Sequence, residues 1–142
     1  MEEDIFPERP TNKLFTENAI RIGTFLGGPL VAGYLIAENF RQLGETKKIQ
    51  TTWLIAIAAT VIVFVIAWFL PKKTPPYIIP IAYTVGAYEL AKKLLGEKIK
   101  AHIAAGGQTW PLGRAVVAGV IGLVIIVAII FAVFSFTDYY FV

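Results

Sequence analysis

The chain has 142 residues and no cysteine, which excludes disulfide bonds and thiolate chemistry. Hydrophobic residues make up 56% of it and charged residues 16%, whereas soluble domains carry about 45–50% and about 25%. The formal net charge of +3 favours membrane topology and lipid contact over nucleic-acid binding in so hydrophobic a chain. We therefore expect an all-α, polytopic transmembrane protein of which the lipid bilayer is a partner.

The first 18 residues are polar and are predicted to form an N-terminal tail, followed by a single transmembrane domain over residues 19–142. The tail starts with acidic residues and contains Pro7 and Pro10, unlike the basic start of a cleavable signal peptide. Thr16 or Asn18 is expected to cap the helix that follows, because either side chain accepts from the free N–H groups of a first helical turn.

Four apolar segments follow the tail, and each is predicted to be a membrane helix. They cover approximately residues 19–37, 53–70, 76–91 and 115–136. The second and fourth contain no charge and are long enough to cross a hydrocarbon core of roughly 30 Å. The first contains Gly27-Gly28-Pro29 and is expected to be a kinked membrane helix. Neighbouring helices would shield the backbone groups that the kink leaves without partners. The third is short and carries Pro80 and Glu89.

An amphipathic, basic helix is predicted over residues 90–105, partly overlapping the third segment. Its apolar residues recur at helical spacing, and Lys92, Lys93, Glu97 and Lys100 fall between them. Such a helix either lies along the headgroup layer or continues the third helix out of the membrane.

The two halves of the chain resemble each other and predict a tandem duplication of a two-helix hairpin. Leu43-Gly44-Glu45 and then Thr52-Trp53 in the first half correspond to Leu95-Gly96-Glu97 and Thr109-Trp110 in the second. The alternative is that small membrane hairpins share such strings without common origin. With four spans, the excess of Lys and Arg in the loops after the first and third segments favours both termini outside the cytoplasm.

Several residues are candidates for function, each with a plainer structural alternative. Glu89 either relays protons or binds a cation, or forms an ion pair with the lysines that follow it. Glu38 and Asn39 either act in function or anchor the end of the first helix at the interface. His102 is either a pH switch or a polar residue on a surface helix.

Gly27, Gly28 and Pro29, together with Pro76 and Pro80, either form two discontinuous helices that face each other, as in transporters, or only permit close packing. In the transport alternative, Tyr34, Tyr83 and Tyr88 would line a path with Glu89. The sequence contains no Ser–His–Asp, Cys–His or paired-carboxylate set, and a lone histidine is a poor zinc site. We therefore expect no enzymatic activity, no metal and no cofactor.

Several strings resemble a group of small uncharacterised bacterial inner-membrane proteins, each with about four predicted spans. They are Thr24-Phe25-Leu26-Gly27-Gly28-Pro29-Leu30, Gly33-Tyr34-Leu35, Asn39-Phe40-x-x-Leu43-Gly44, Pro80-Ile81-Ala82-Tyr83, and Ile99-x-x-His102-x-x-x-Gly106-Gly107 with Trp110 and Gly113. The resemblance runs from about Lys13 to Phe136 and implies the plasma membrane of a bacterium. It implies no activity and no catalytic residue, because the group has none assigned. Some members look as if they carry a cytosolic N-terminal segment.

The small size, the glycine-rich helices and the lack of a catalytic set predict an accessory or structural subunit of a larger membrane complex, or a homo-oligomer. The alternative is a small transporter or channel that uses the first and third helices, which contain Gly and Pro.

Overall fold

A computed structural model describes residues 11–141 of the chain, so most of the predicted tail lies outside the described residues. Five helices account for most of this range, and two strands of two residues each complete it. The elements are β1 (Lys13–Leu14), α1 (Glu17–Gly27), α2 (Pro29–Gln42), α3 (Thr46–Phe69), α4 (Ile78–Ala104), β2 (Gln108–Thr109) and α5 (Leu112–Phe141). The predicted all-α class is confirmed.

Helix α1 begins where a polar side chain satisfies its first turn. The hydroxyl of Thr16 accepts a hydrogen bond from the Ala19 N–H at 3.2 Å, as an N-cap does. Thr16 is therefore the cap, and Asn18, the other predicted candidate, is exposed within the helix.

The first apolar segment is interrupted at Gly28. This residue has φ 81° and ψ −171°, a conformation that only glycine adopts without strain. Its N–H donates to the carbonyl of Thr24 at 2.7 Å and closes α1, and Pro29 opens α2 at a position that needs no N–H donor. One helix thus ends and the next begins across a single residue.

Helices α1 and α2 fold back on each other as an antiparallel pair, which we call the α1–α2 hairpin. Its open end is closed by Asn39, which bonds to the backbone of Phe15, and by Asn12, whose amide donates to the carbonyl of Gln42 at 2.9 Å. At 1.5 Å per residue the two helices are about 16 Å and about 21 Å long, well short of a hydrocarbon core of roughly 30 Å. The predicted kinked span over residues 19–37 is therefore wrong, because the chain reverses instead of bending.

Two helices in the described part of the chain are long and apolar enough to cross a membrane, α3 and α5. Only 6% and 11% of their most apolar stretches is buried, so most of their surface faces outward. These helices contain the second and fourth predicted spans. The prediction of four spans is not supported, since α1 and α2 are too short and α4 carries charges in its second half.

Helix α4 is one continuous helix of 27 residues. Pro80 lies in its first turn, where a missing N–H breaks no intrahelical bond, so the expected second discontinuity is absent from this helix. The predicted amphipathic helix continues the third segment without interruption, which was one of the two alternatives for it. Its buried residues Ala91, Leu95 and Ile99 pack in one cluster with the hairpin.

The core lies at one end of the bundle, where the N-terminal strand meets the loop before α5. Strand β1 pairs in parallel with β2, in the register Lys13 with Gln108 and Leu14 with Thr109. The Trp110 N–H then donates to the Leu14 carbonyl at 2.9 Å. We call this the junction end of the bundle. Its buried side chains include Leu14, Phe15, Ile20, Leu35, Phe40, Leu95 and Ile99.

Helices α1, α3 and α5 all begin at the junction end. Gly33 of α2 packs against Ala56 of α3 on the way back from the hairpin tip, and Gly23 of α1 packs near the Ala115 carbonyl of α5. Helices α2 and α4 run in the opposite direction. The paired strings of the predicted duplication fall in unlike places, since Gly44 lies in a turn with φ 77° and Gly96 lies inside α4. The duplication stays a prediction from sequence.

Candidate functional site

Asn39 is the polar residue on which the α1–α2 hairpin closes. It is completely buried, its side-chain oxygen accepts from the Phe15 N–H at 2.7 Å, and its amide donates to the Phe15 carbonyl at 2.9 Å. One side chain therefore satisfies both backbone groups of a buried residue 24 positions away. Asn39 is a structural clamp at the junction end and not an exposed interfacial anchor.

The tip of the hairpin rests on α5 through glycines. A Cβ built on Gly27 would lie 2.8 Å from the Gly119 carbonyl oxygen and 3.1 Å from the Gly119 Cα. Likewise, a Cβ on Gly23 would lie 3.2 Å from the Ala115 carbonyl oxygen. Backbones can approach this closely only where side chains are missing, so these small residues define the α1–α5 crossing.

Two tyrosines of α4 contact α1 along its length. The Tyr83 hydroxyl donates to the Phe25 carbonyl at 3.4 Å, near the tip. The guanidinium of Arg21 lies 5.4 Å from the ring centroid of Tyr88, nearer the junction end. Tyr34 lies on α2 and faces a different groove, so the three predicted tyrosines do not line one path.

Ion pairs gather where α2 ends and α3 begins. Glu38 accepts from Arg41 at 2.6 Å, and this contact raises the pKa of the Arg41 guanidinium. Glu45 bonds to Lys98 of α4 and lies 3.5 Å from Lys48. The hydrogen bond from Lys98 holds the pKa of the Glu45 carboxyl below its ordinary value. The contact between Glu45 and Lys98 ties the α2–α3 turn to α4 and favours the charged form of the Glu45 carboxyl.

His102 is buried, with 6% of its surface exposed, and does not behave as a polar residue on a surface helix. Its Nε2 lies 2.7 Å from the Gln108 carbonyl oxygen. The ring also packs against Gly107, where a Cβ would collide with it. His102 therefore fixes the loop that carries β2. Among residues 11–141, no group of three His, Cys, Asp or Glu side chains is placed to hold a metal ion.

Glu89 is exposed on the outer face of α4 beside Lys92 and Lys93. The expected ion pair does not form within 4.0 Å in the described structure, where the salt bridges involve other carboxylates. Its surface shares Gly86 and Leu90 with the one on which Tyr83 lies and is separate from the one on which Tyr34 lies.

Two apolar grooves flank α2 where it contacts the spanning helices. The first, of about 230 Å³, lies between α2, α3 and α4, and Gly33, Ala56, Tyr83 and Leu90 are among its lining residues. The second, of about 390 Å³, lies between α2, α3 and α5, and we call it the α5 groove. It is lined by Tyr34, Trp53, Arg114, Val117, Ile121 and Ile125, among others.

Comparison of the chain with protein-family models, with curated proteins and with solved structures finds no match.

The α1–α5 contact is the feature that the sequence analysis missed. Gly23 and Gly27 form a strict GxxxG spacing, and Ala115 and Gly119 repeat the spacing on the partner helix. From the sequence we expected glycine-rich helices but did not weigh these two pairs. The four-residue spacing of small residues was the available signal.

Proposed function

We propose that this chain is a non-enzymatic subunit of a membrane complex in the bacterial plasma membrane, assembling either with another membrane protein or with copies of itself. The observation that carries the proposal is the exposure of α5. From Leu123 to Tyr140 every side chain is exposed except that of Ile126, which is partly buried. A helix that is apolar on all sides needs either lipid or protein around it, and beyond Gly122 α5 leaves most of its circumference available.

The topology that we propose has three crossings and places the N-terminus in the cytoplasm. If α3 and α5 both span the bilayer and both begin at the junction end, the chain must return between them. Helix α4, which is 27 residues long, makes this return, with its charged second half towards the junction end. Every described Lys and Arg except Lys72 and Lys73 lies in the half of the bundle nearer the junction end. The positive-inside rule then favours a cytoplasmic junction end.

This topology differs from the sequence-based expectation of both termini outside, because the hairpin returns the first segment to the side on which it began. A reporter that is active only outside the cytoplasm is expected to be active when it is fused after Val142. A reporter that is active only inside the cytoplasm is expected to be active when it is fused before Met1. Cytoplasmic activity of the fusion after Val142 would contradict this topology, and, together with a cytoplasmic N-terminus, it would show that the number of crossings is even.

The subunit proposal is tested by the mass of the protein extracted in a mild detergent. We expect either a multiple of the 15.6 kDa chain or a fixed ratio to a second membrane protein. Since the chain has no cysteine, single substitutions such as Val127→Cys and Ile130→Cys provide unique cross-linking sites on α5. A cysteine scan of α5 in native membranes should give cross-links that recur about every 3.6 residues, marking one contact face.

A matched control is Val61→Cys, which lies exposed on the other spanning helix. A protein that remains a single 15.6 kDa chain, and that forms no cross-link at any position of α5, contradicts the subunit proposal.

The alternative of a small transporter or channel is favoured by one observation, the break at Gly28 between two short helices. Such breaks bring backbone polar groups into an apolar region. Tyr83 and Glu89 lie on adjoining surfaces that share Gly86 and Leu90, but Tyr34 lies in the α5 groove, which argues against one path that all three line in the described chain. Flux of an ion through vesicles that hold the isolated chain would support this alternative over the subunit proposal.

A further inference from the structure

The α5 groove has the shape and chemistry of a site for one amphiphile. It is polar at the junction end, where Tyr34, Trp53 and Arg114 lie, and apolar from Val117 to Ile125. Between Arg114 and Ile125 the helix rises about 16 Å, which is about the depth of one leaflet in a hydrocarbon core of roughly 30 Å. The groove therefore begins at a charge and ends deep in the apolar part of α5.

Arg114 stands at the depth expected for a lipid headgroup. It is exposed, and the charge-free stretch of α5 begins at the next residue. Its guanidinium stacks on the ring of Trp110, with 3.8 Å to the centroid, so the charge is held at the mouth of the groove. Trp53 and Tyr34 are 36% and 41% exposed beside it, as aromatic residues are at a membrane interface. Among residues 11–141, no carboxylate lies within 4.0 Å of Arg114.

The charge at the mouth of the α5 groove distinguishes two possible occupants. A partner helix and an acyl chain are both apolar, but only a lipid brings a phosphate to the level of Arg114. The cation at the mouth complements a phosphate, because a guanidinium donates two parallel hydrogen bonds to phosphate oxygens.

We propose that the α5 groove binds one anionic phospholipid, with its phosphate on Arg114 and one acyl chain along Val117, Ile121 and Ile125. This inference rests on the proposed insertion of the chain in a membrane. The lipid would fill the space between the two spanning helices, which α2 alone separates at this level.

The test is native mass spectrometry of the full chain in detergent, titrated with phosphatidylglycerol and, separately, with phosphatidylcholine. We expect tighter binding of phosphatidylglycerol, and we expect Arg114→Gln to weaken it about fivefold and to weaken phosphatidylcholine less, because the choline cation offsets the charge of the shared phosphate. Ile121→Trp fills the groove and should reduce the binding of both lipids.

Two matched controls keep the test specific. Val120→Trp changes the neighbouring exposed residue, which does not line the groove, and Lys72→Gln removes a charge at the far end of the bundle. Both should bind the two lipids as the unchanged chain does. Equal binding of the two lipids, or full phosphatidylglycerol binding by Arg114→Gln, overturns the inference.

The same spectra distinguish this inference from the subunit proposal. An assembled protein without a lipid preference overturns the lipid site alone, and a single chain that prefers phosphatidylglycerol contradicts assembly alone. If Ile121→Trp loses the assembly while lipid binding is intact, a protein partner occupies the groove and the lipid site is overturned.

Discussion

Asn39→Ala is expected to lower the free energy of unfolding by about 2–5 kcal/mol, because it leaves two buried backbone groups of Phe15 without partners. The Phe15 N–H and carbonyl both bond to the Asn39 side chain, and Phe15 itself is 1% exposed. Water cannot replace the lost amide without opening the junction end. Thermal unfolding in detergent gives the loss of stability directly, and trypsin cleavage after Lys13 reports the release of β1.

Two further variants test whether the effect comes from the hydrogen bonds. Asn18→Ala removes an exposed amide from α1 and should change stability by no more than about 0.5 kcal/mol. Asn39→Asp keeps an acceptor for the Phe15 N–H but offers no donor to the Phe15 carbonyl when it is ionised, so it should also be destabilising. If Asn39→Ala lowers the free energy of unfolding by no more than Asn18→Ala does, the hydrogen bonds of Asn39 do not stabilise the hairpin.

The two spanning helices could be predicted from sequence because their signal is local. Each has an uninterrupted apolar stretch of at least the length of a hydrocarbon core, and no tertiary contact is needed to recognise it. The same holds for the cap at Thr16 and for the amphipathic continuation of α4, which follow from residue type and spacing within a few turns.

The hairpin could not be predicted in the same way. Gly27-Gly28-Pro29 permits either a kink or a reversal, and the local sequence does not distinguish them. What distinguishes them is the bond between Asn39 and Phe15, two residues on opposite sides of the break and 24 positions apart. The sequence left open whether Asn39 acts in function or anchors the helix end at the interface, because a backbone partner has no signature in a sequence.

The position of Pro80 shows a second limit. Proline interrupts a helix only when it follows several helical turns, and in the first turn it is tolerated. Whether Pro80 breaks α4 therefore depends on where the helix begins, and boundaries are the least certain part of a sequence-based prediction. The helix begins at Ile78, so the proline falls where it causes no break.

The α1–α5 crossing is the contact on which the hairpin tip depends, and it can be tested at Gly27. This residue ends α1 against the backbone of Gly119, with no room for a side chain. Gly27→Leu is expected to push α1 away from α5 and to lower the free energy of unfolding by about 3 kcal/mol, the upper part of the usual range for overpacking. Unfolding in detergent measures the loss, and the groove between α2, α3 and α5 should change with it.

Gly86→Leu is the matched control, since it makes the same substitution inside a helix where no atom lies within 4 Å of an added Cβ. Leucine has a higher helix propensity than glycine by roughly 0.8 kcal/mol, so this variant should be neutral or more stable. The two substitutions thus have opposite expected signs, although the chemical change is identical. Equal destabilisation by both would mean that a larger side chain destabilises the protein at any helical position. The close approach of Gly27 to Gly119 would then not be what stabilises the packing of the hairpin against α5.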